Sequence, residues 1–236
     1  MSTVEVVETS AGWVPLAAVA LLATATAAAS LDSALAARAE GRPISEGLRV
    51  PWAETARLFR QRRRSTLAAD VLLWRVGVAA LLVLAFMKVI VTPLGRWTVG
   101  DLSVGIVWFN AMDVVVWAAV WLAGWGPNSA HSLVGGYRFL SQALAYELPL
   151  MFALTAPAVG AGSLRVGDVV AAQHDLWFVV WMPVAFLVFM AGVVGFSVWG
   201  PLSTPAGVDV AGGIFAETSG VDRWLEVPPR ARRHQL

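Results

Sequence analysis

Two carboxylates lie where carboxylates are costly. Glu147 falls inside the apolar run 139–159, and Asp113 sits near the middle of another, 104–121. An ionisable side chain at bilayer depth costs roughly 2.5–3.5 kcal/mol on insertion scales, so both are candidates for function. Counted from the ends of their runs, their depths differ by only about 6 Å, and acids so placed on adjacent antiparallel helices could relay a proton. They could equally face different directions, each hydrogen-bonded to a neighbouring helix as a packing polar group, and spacing leaves both arrangements open. Arg138 opens the run 139–159, Gln142 follows one turn later, and Glu147 lies about 13 Å deeper. The nine residues from Arg138 to Glu147 turn a helix through about 180° beyond whole turns, so the two face opposite ways. Arg138 is therefore expected to meet a partner at the membrane surface while Glu147 points into the bundle. Pro149, two residues on, removes a backbone donor and loosens the helix there. Lys88 and Arg75 fall near the ends of the run 71–91, can snorkel to the interface, and read as structural.

The elements that must position these groups are membrane helices. The chain has 236 residues, 58% of them hydrophobic and only 14% charged, which reads as a polytopic membrane protein. Five runs reach the roughly 20 residues a spanning helix needs: 13–31, 71–91, 104–121, 139–159 and 176–199. Each is apolar on most faces, so the expected fold is all-α, a single integral-membrane domain over 1–236. Trp13, Trp74, Trp97, Trp125, Tyr137, Trp177 and Trp199 near the ends of the runs fit interfacial anchors. There is no cysteine, which excludes disulfides, thiolate zinc sites and iron–sulfur ligation. His131, His174 and His234 fall in loops or the tail, which argues against a haem held between helices. No metal site is expected, and electrons passing nearby must be carried by another subunit.

Charge sets the orientation. Glu5 and Glu8 precede the first apolar run without any Lys or Arg, unlike the basic start of a secretory signal, so that run is expected to be retained as a span. Eight arginines from Arg38 to Arg64 lie between the first two runs, Arg138 follows the third, and Arg223, Arg230, Arg232 and Arg233 follow the fifth. The opposite loops hold Arg96 and Arg165, so the positive-inside rule places the N-terminus outside and the tail 201–236 in the cytoplasm. Within the first inner loop, 49–67, Trp52, Ala56, Phe59 and Leu67 alternate with Arg57, Arg60 and Arg62–Arg64. That pattern predicts a short amphipathic helix lying in the interface, its basic residues topogenic and lipid-facing. Beside two membrane helices, a nucleic-acid surface is excluded.

Four segments carry a family resemblance. Gly-Trp-Gly-Pro-Asn-Ser (124–129), Ser-Leu-Val-Gly-Gly-Tyr-Arg (132–138) and Ala-Tyr-Glu-Leu-Pro (145–149) together form the specific one. With it, the chain resembles the H subunit of proton-pumping NADH:quinone oxidoreductase (respiratory complex I) and the related subunits of membrane-bound hydrogenases. Residues 31–42 resemble the end of that family's first helix, with Asp32 where the family has Glu. Residues 51–59 resemble its Pro-x-Ala-Asp-x-x-Lys segment, with Glu54 and Arg57 as conservative replacements. Residues 216–220 resemble its Thr-Glu-Tyr-Ser-Gly element and supply Glu217. Departures are equally specific. Gly-Phe-Ser-Val-Trp (195–199) stands where the family has Ala-Glu-Thr-Asn-Arg, and the acidic loop that follows is reduced to Pro201, Pro205 and Asp209. The family pattern also has eight helices against the five expected here.

The resemblance implies a membrane subunit with no autonomous catalysis, located in the cytoplasmic membrane. It would form much of the quinone chamber and the connection between a redox arm and a membrane arm. Its partners would be other membrane-arm subunits and a peripheral subunit bearing an iron–sulfur cluster, with quinone shared with the latter. By the same implication Glu147, Asp32, Glu217 and Asp209 would carry proton coupling, joined by Asp113 from its place inside a span, and Glu54, Arg57, Arg138 and Gln142 would face the quinone chamber. Loss of the loop acids favours a rival, a non-redox scaffold paralogue without a quinone site, and a hydrogenase subunit is a further alternative. A small ion transporter is the weakest, since no inverted repeat relates the spans.

Overall fold

Apolar runs in this chain become helices of bilayer length. The computed structural model describes residues 6–198, 200–207 and 211–226. A two-residue strand β1 (Val7–Glu8) leads into α1 (Val14–Ala39), followed by α2 (Ile44–Arg60) and α3 (Val71–Val91). Strand β2 (Trp97–Thr98) precedes α4 (Gly105–Trp125) and α5 (Ala130–Ala161), then short α6 (Val166–Ala171) and α7 (Phe178–Trp181). After these come α8 (Pro183–Phe196) and α9 (Val221–Glu226). Among the described residues four helices, α1, α3, α4 and α5, are long and apolar enough to cross a membrane, and α8 is a shorter apolar helix. The protein is thus an all-α polytopic membrane protein. The two tiny strands pair in parallel, Val7 with Trp97 and Glu8 with Thr98, and tie the start of the chain to the α3–α4 loop.

Helix ends follow local chemistry. Asp70 caps α3, its Oδ1 accepting from the Leu73 amide at 3.0 Å, and its own amide donates to Gly126 O at 2.8 Å, which joins the start of α3 to the end of α4. Helix α5 ends at Gly162, left-handed at φ 66°, where the Ser163 amide reaches back to Ala158 O at 3.1 Å. The expected fifth span, 176–199, is broken. Met182 adopts φ −123°, ψ 49°, because the following proline disfavours a helical backbone at the residue before it, and the helix restarts at Pro183. Trp199, the expected end of that span, lies outside the described residues.

The expected span 139–159 starts nine residues earlier, at Ala130. Gly135 and Gly136, which resemble loop punctuation, lie inside the helix and serve close packing. A Cβ on Gly135 would sit 2.2 Å from the Ile214 amide, and one on Gly124 of α4 would lie 3.2 Å from the Gly136 Cα. Likewise a Cβ on Gly77 of α3 would meet the Ala123 amide of α4 at 2.6 Å. The antiparallel layers α3–α4 and α4–α5 pack backbone to backbone there, as expected of helices associating without help from lipid. Trp74, Val78, Val116, Phe139, Tyr146 and Leu150 fill the core around this contact.

The amphipathic helix forms at 44–60 rather than 49–67. Pro43, fixed in an extended conformation, precedes its first turn, and the extended Gln61 ends it before the arginine triplet. Gly47 seats α2 on α1, its virtual Cβ 2.5 Å from the Ala34 Cα. The outer stripe of Ile44, Leu48 and Trp52 is exposed among the described residues.

Candidate charge layer and C-terminal strap

The close approach of Gly124 to Gly136 sets the α4–α5 register. Eleven residues further along each helix lie Asp113 and Glu147, so the two acids are level rather than staggered. The difference from the expected stagger arises because α5 extends beyond α4 at its start, so its end is no reference for depth. Asp113 is 2% exposed and Glu147 is 4% exposed. Both Glu147 carboxyl oxygens are buried without a hydrogen-bond partner among the described residues. The hydroxyl of the adjacent Tyr146 and Nε1 of Trp117 are likewise buried and lie close to each other.

Lys88 departs from the expectation that it snorkels. Its Nζ donates to Asp113 Oδ1 in a buried ion pair. The reason is directional. Side chains lean toward the N-terminus of their own helix, so a lysine near the C-terminal end of α3 leans into the bilayer. Its ammonium also sits 4.0 Å from the Phe196 ring centroid and 5.3 Å from that of Phe109. Lys88, Asp113 and Glu147 are within electrostatic reach of one another. The sequence signal for this pair is a cation and an acid in consecutive spans, interpreted through that lean. Arg75, by contrast, is exposed as expected.

A second cluster forms where residues 200–207 and 211–226 strap across the start of α5. Arg138 Nη1 donates to Gly212 O at 2.8 Å and Ala211 O at 3.3 Å, and so meets the expected surface partner, one within its own chain. Gln142 Nε2 donates to Gly195 O at 2.7 Å and Leu202 O at 3.2 Å. Gly195 lies in the last turn of α8, where helix carbonyls lack intrahelical partners, so Gln142 supplies one. Glu217 Oε1 accepts from the Ser129 hydroxyl at 2.7 Å, directly before α5. The strap continues onto α2. Arg63 pairs with Asp222 at 3.2 Å, Trp224 Nε1 donates to Thr55 Oγ1 at 3.3 Å, and its ring lies 5.4 Å from Phe59. Asp209 lies outside the described residues.

Two of the expected groups stand apart. Glu54 and Arg57 pair with each other one turn apart on α2, and hydrogen bonding to Glu54 holds the Arg57 guanidinium above its ordinary pKa. Asp32 is half-buried on α1, which packs mainly on α2.

Residues 11–225 match the family described as NADH dehydrogenase. The chain belongs to the NADH dehydrogenase family. It is 33% identical over 186 residues to the second of the H subunits of NADH-quinone oxidoreductase in Geobacter sulfurreducens, covering 74% of this chain and 56% of that protein. The H subunit of Geobacillus kaustophilus NADH-quinone oxidoreductase is 31% identical over 180 residues, covering 75% and 54%. Its counterpart in Carboxydothermus hydrogenoformans is 35% identical over 127 residues, covering 54% and 34%. The resemblance carried by 124–149 is thereby borne out at the level of family. The chain spans about half the length of the curated relatives it matches.

Proposed function

We propose that this NADH dehydrogenase family chain is the quinone-chamber and connecting membrane subunit of a proton-translocating NADH:quinone oxidoreductase-like complex in the cytoplasmic membrane. In this reading its N-terminus is outside, and its partners are further membrane-arm subunits and a peripheral subunit bearing an iron–sulfur cluster. One observation carries the coupling part: Glu147 is buried at the level of Asp113 with neither carboxyl oxygen hydrogen-bonded among the described residues. A buried polar group without a partner is costly, and proton transfer is a function that would retain it. Asp32, Glu217 and Asp209 would extend the proton path toward the strap.

Quinone supplies redox chemistry when bound, and this chain would share it with the partner subunit. A quinone carbonyl needs an N–H donor. Gln142 already donates both of its amide hydrogens to the Gly195 and Leu202 carbonyls, whereas the hydrogen bonds of Arg138 and Arg57 use only part of a five-donor guanidinium. Arg138 and Arg57 would therefore fit as headgroup donors and Gln142 would shape the chamber wall. The reduced acidic loop favours the rival scaffold reading, in which the chain keeps subunit contacts without a quinone site.

Two measurements on the assembled complex separate these readings. Glu147→Gln should leave assembly intact and lower proton-coupled turnover; full coupled turnover would reduce Glu147 to a packing residue. Bound quinone, assayed directly in the purified complex, should be present, and its absence would establish the scaffold reading.

A further inference from the structure

One cation faces two acids in the membrane layer. Lys88 Nζ is bonded to Asp113, while Glu147 stands level with Asp113 and has no hydrogen bond among the described residues. We propose that Lys88 is an exchangeable counter-ion, paired with Asp113 while Glu147 holds a proton and passing to Glu147 when that proton leaves and Asp113 takes one up. The proposal rests on the reading of Asp113 and Glu147 as proton carriers and adds the group that sets which of them is charged.

Charge balance within the layer supports it. On α3 the ionisable residues are Arg75 and Lys88; on α4, Asp113; on α5, His131, Tyr137, Arg138, Tyr146 and Glu147; on α8 there are none. Arg75 lies at the opposite end of α3 from Lys88, and His131 and Arg138 lie at the start of α5, more than two helical turns from Glu147. Tyr146 adds a neutral hydroxyl. Lys88 therefore has two acids to balance and, among the described residues, no rival cation inside the layer. The neutral arrangement is one ammonium, one carboxylate and one carboxylic acid. A second buried carboxylate without a cation is strongly disfavoured, so the layer holds one exchangeable proton. Which carboxyl holds it decides which one the ammonium faces.

The cage around Lys88 permits the exchange. Its other close neighbours are the faces of Phe196 and Phe109, which attract a cation without fixing it through directional hydrogen bonds. Phe196 also packs edge-on against Tyr146, centroids 6.3 Å apart, so the ring over the ammonium borders the residue next to Glu147. A lysine ammonium on a flexible four-carbon stem suits such motion better than the planar guanidinium of arginine. The step balances in protons alone: Glu147 releases one, Asp113 accepts one, and the ammonium keeps all of its own.

Infrared spectroscopy of the purified protein in lipid nanodiscs tests this without turnover, because the carboxylic acid C=O band reports which side chain is protonated. At neutral pH the wild-type layer should show one such band, lost in Glu147→Gln. In Asp113→Asn, Lys88 should pass to Glu147, and the band should vanish although Glu147 is present. In Lys88→Met, a second band should appear. A Glu147 band persisting unchanged in Asp113→Asn would show that Lys88 does not reach Glu147 and would overturn the proposal. Lys88→Arg guards against misfolding: it should retain the single band, and a band pattern in Lys88→Met identical to that in Lys88→Arg would overturn the proposal equally. Failure here is distinguishable from failure of the relay reading, which is decided by coupled turnover in Glu147→Gln.

Discussion

Removing either partner of the Lys88–Asp113 pair should harm the fold far more than removing both. The side chains are 11% and 3% exposed, so solvent screens the pair little. Losing one partner strands a buried charge, which typically costs about 3–5 kcal/mol, whereas replacing a whole buried pair with apolar side chains is often neutral or stabilising. Of the two single variants, Lys88→Met should lose more, in the upper part of that range, because it leaves no cation among the buried acids. In Asp113→Leu the ammonium passes to Glu147 and keeps the two aromatic faces, each contributing up to about 2 kcal/mol in a dry setting, so the loss falls in the lower part. Lys88→Met/Asp113→Leu should recover most of either loss, giving a coupling energy of roughly 3 kcal/mol. The assay is reversible unfolding of the nanodisc-held protein for wild type, both singles and the double. Additive single effects, with the double the worst of the four, would refute the reasoning and reduce the pair to an incidental contact.

Further outcomes follow from the same geometry. Gly135→Val places side-chain atoms on the Ile214 amide, where the Cβ alone would be 2.2 Å away, and should cost about 1–3 kcal/mol and speed hydrogen exchange across 211–220. Arg138→Gln removes the bonds to Gly212 and Ala211; hydrogen bonds to charged groups contribute about 1.5–3 kcal/mol, discounted here for partial exposure, and exchange in 211–216 should rise severalfold while α4 is unaffected. Gln142→Leu leaves the Gly195 carbonyl unpaired and should loosen the end of α8 by about 1 kcal/mol, read as faster exchange in 195–202. Reporter fusions after Arg64 and at Leu236 should both score cytoplasmic; an external signal from either would overturn the proposed orientation.

The spans are legible in the sequence because hydropathy is a bulk property of a run, and 71–91 is bounded to the residue. What escapes depends on directions and distances between helices. Local propensity makes Gly135 and Gly136 look like a helix start, yet both are interior packing sites, Gly135 against Ile214 of the strap and Gly136 against Gly124 of α4. Pro183 is visible, but whether a proline kinks a span or breaks it depends on what covers the freed groups. At the site, Glu147, Asp113, Arg138 and Gln142 stand out as polar residues in apolar surroundings. Lys88 does not, because nearness to a helix end suggests snorkelling until the N-terminal lean of its side chain is taken into account. Glu217 enters only through the family resemblance, since its partner Ser129 is 88 residues away.

The strap and the charge layer are not independent. Gln142 holds Gly195, and the next residue, Phe196, covers the Lys88 ammonium at 4.0 Å and borders Tyr146. Gly192 and Gly195 bring α8 onto α5 so closely that a Cβ at either would stand 3.0 Å from Leu150 or Tyr146. Packing that tight transmits displacement instead of absorbing it. A shift of the segment after α8, which Arg138 pins at Ala211 and Gly212, would therefore draw on the Gly195 carbonyl and move Phe196 over Lys88. The resembling family carries acids at 195–199 and in the loop beyond, whereas this chain carries a glycine and an aromatic ring at that junction. At that junction this chain has a packing contact, Phe196 over the ammonium of the buried Lys88–Asp113 pair.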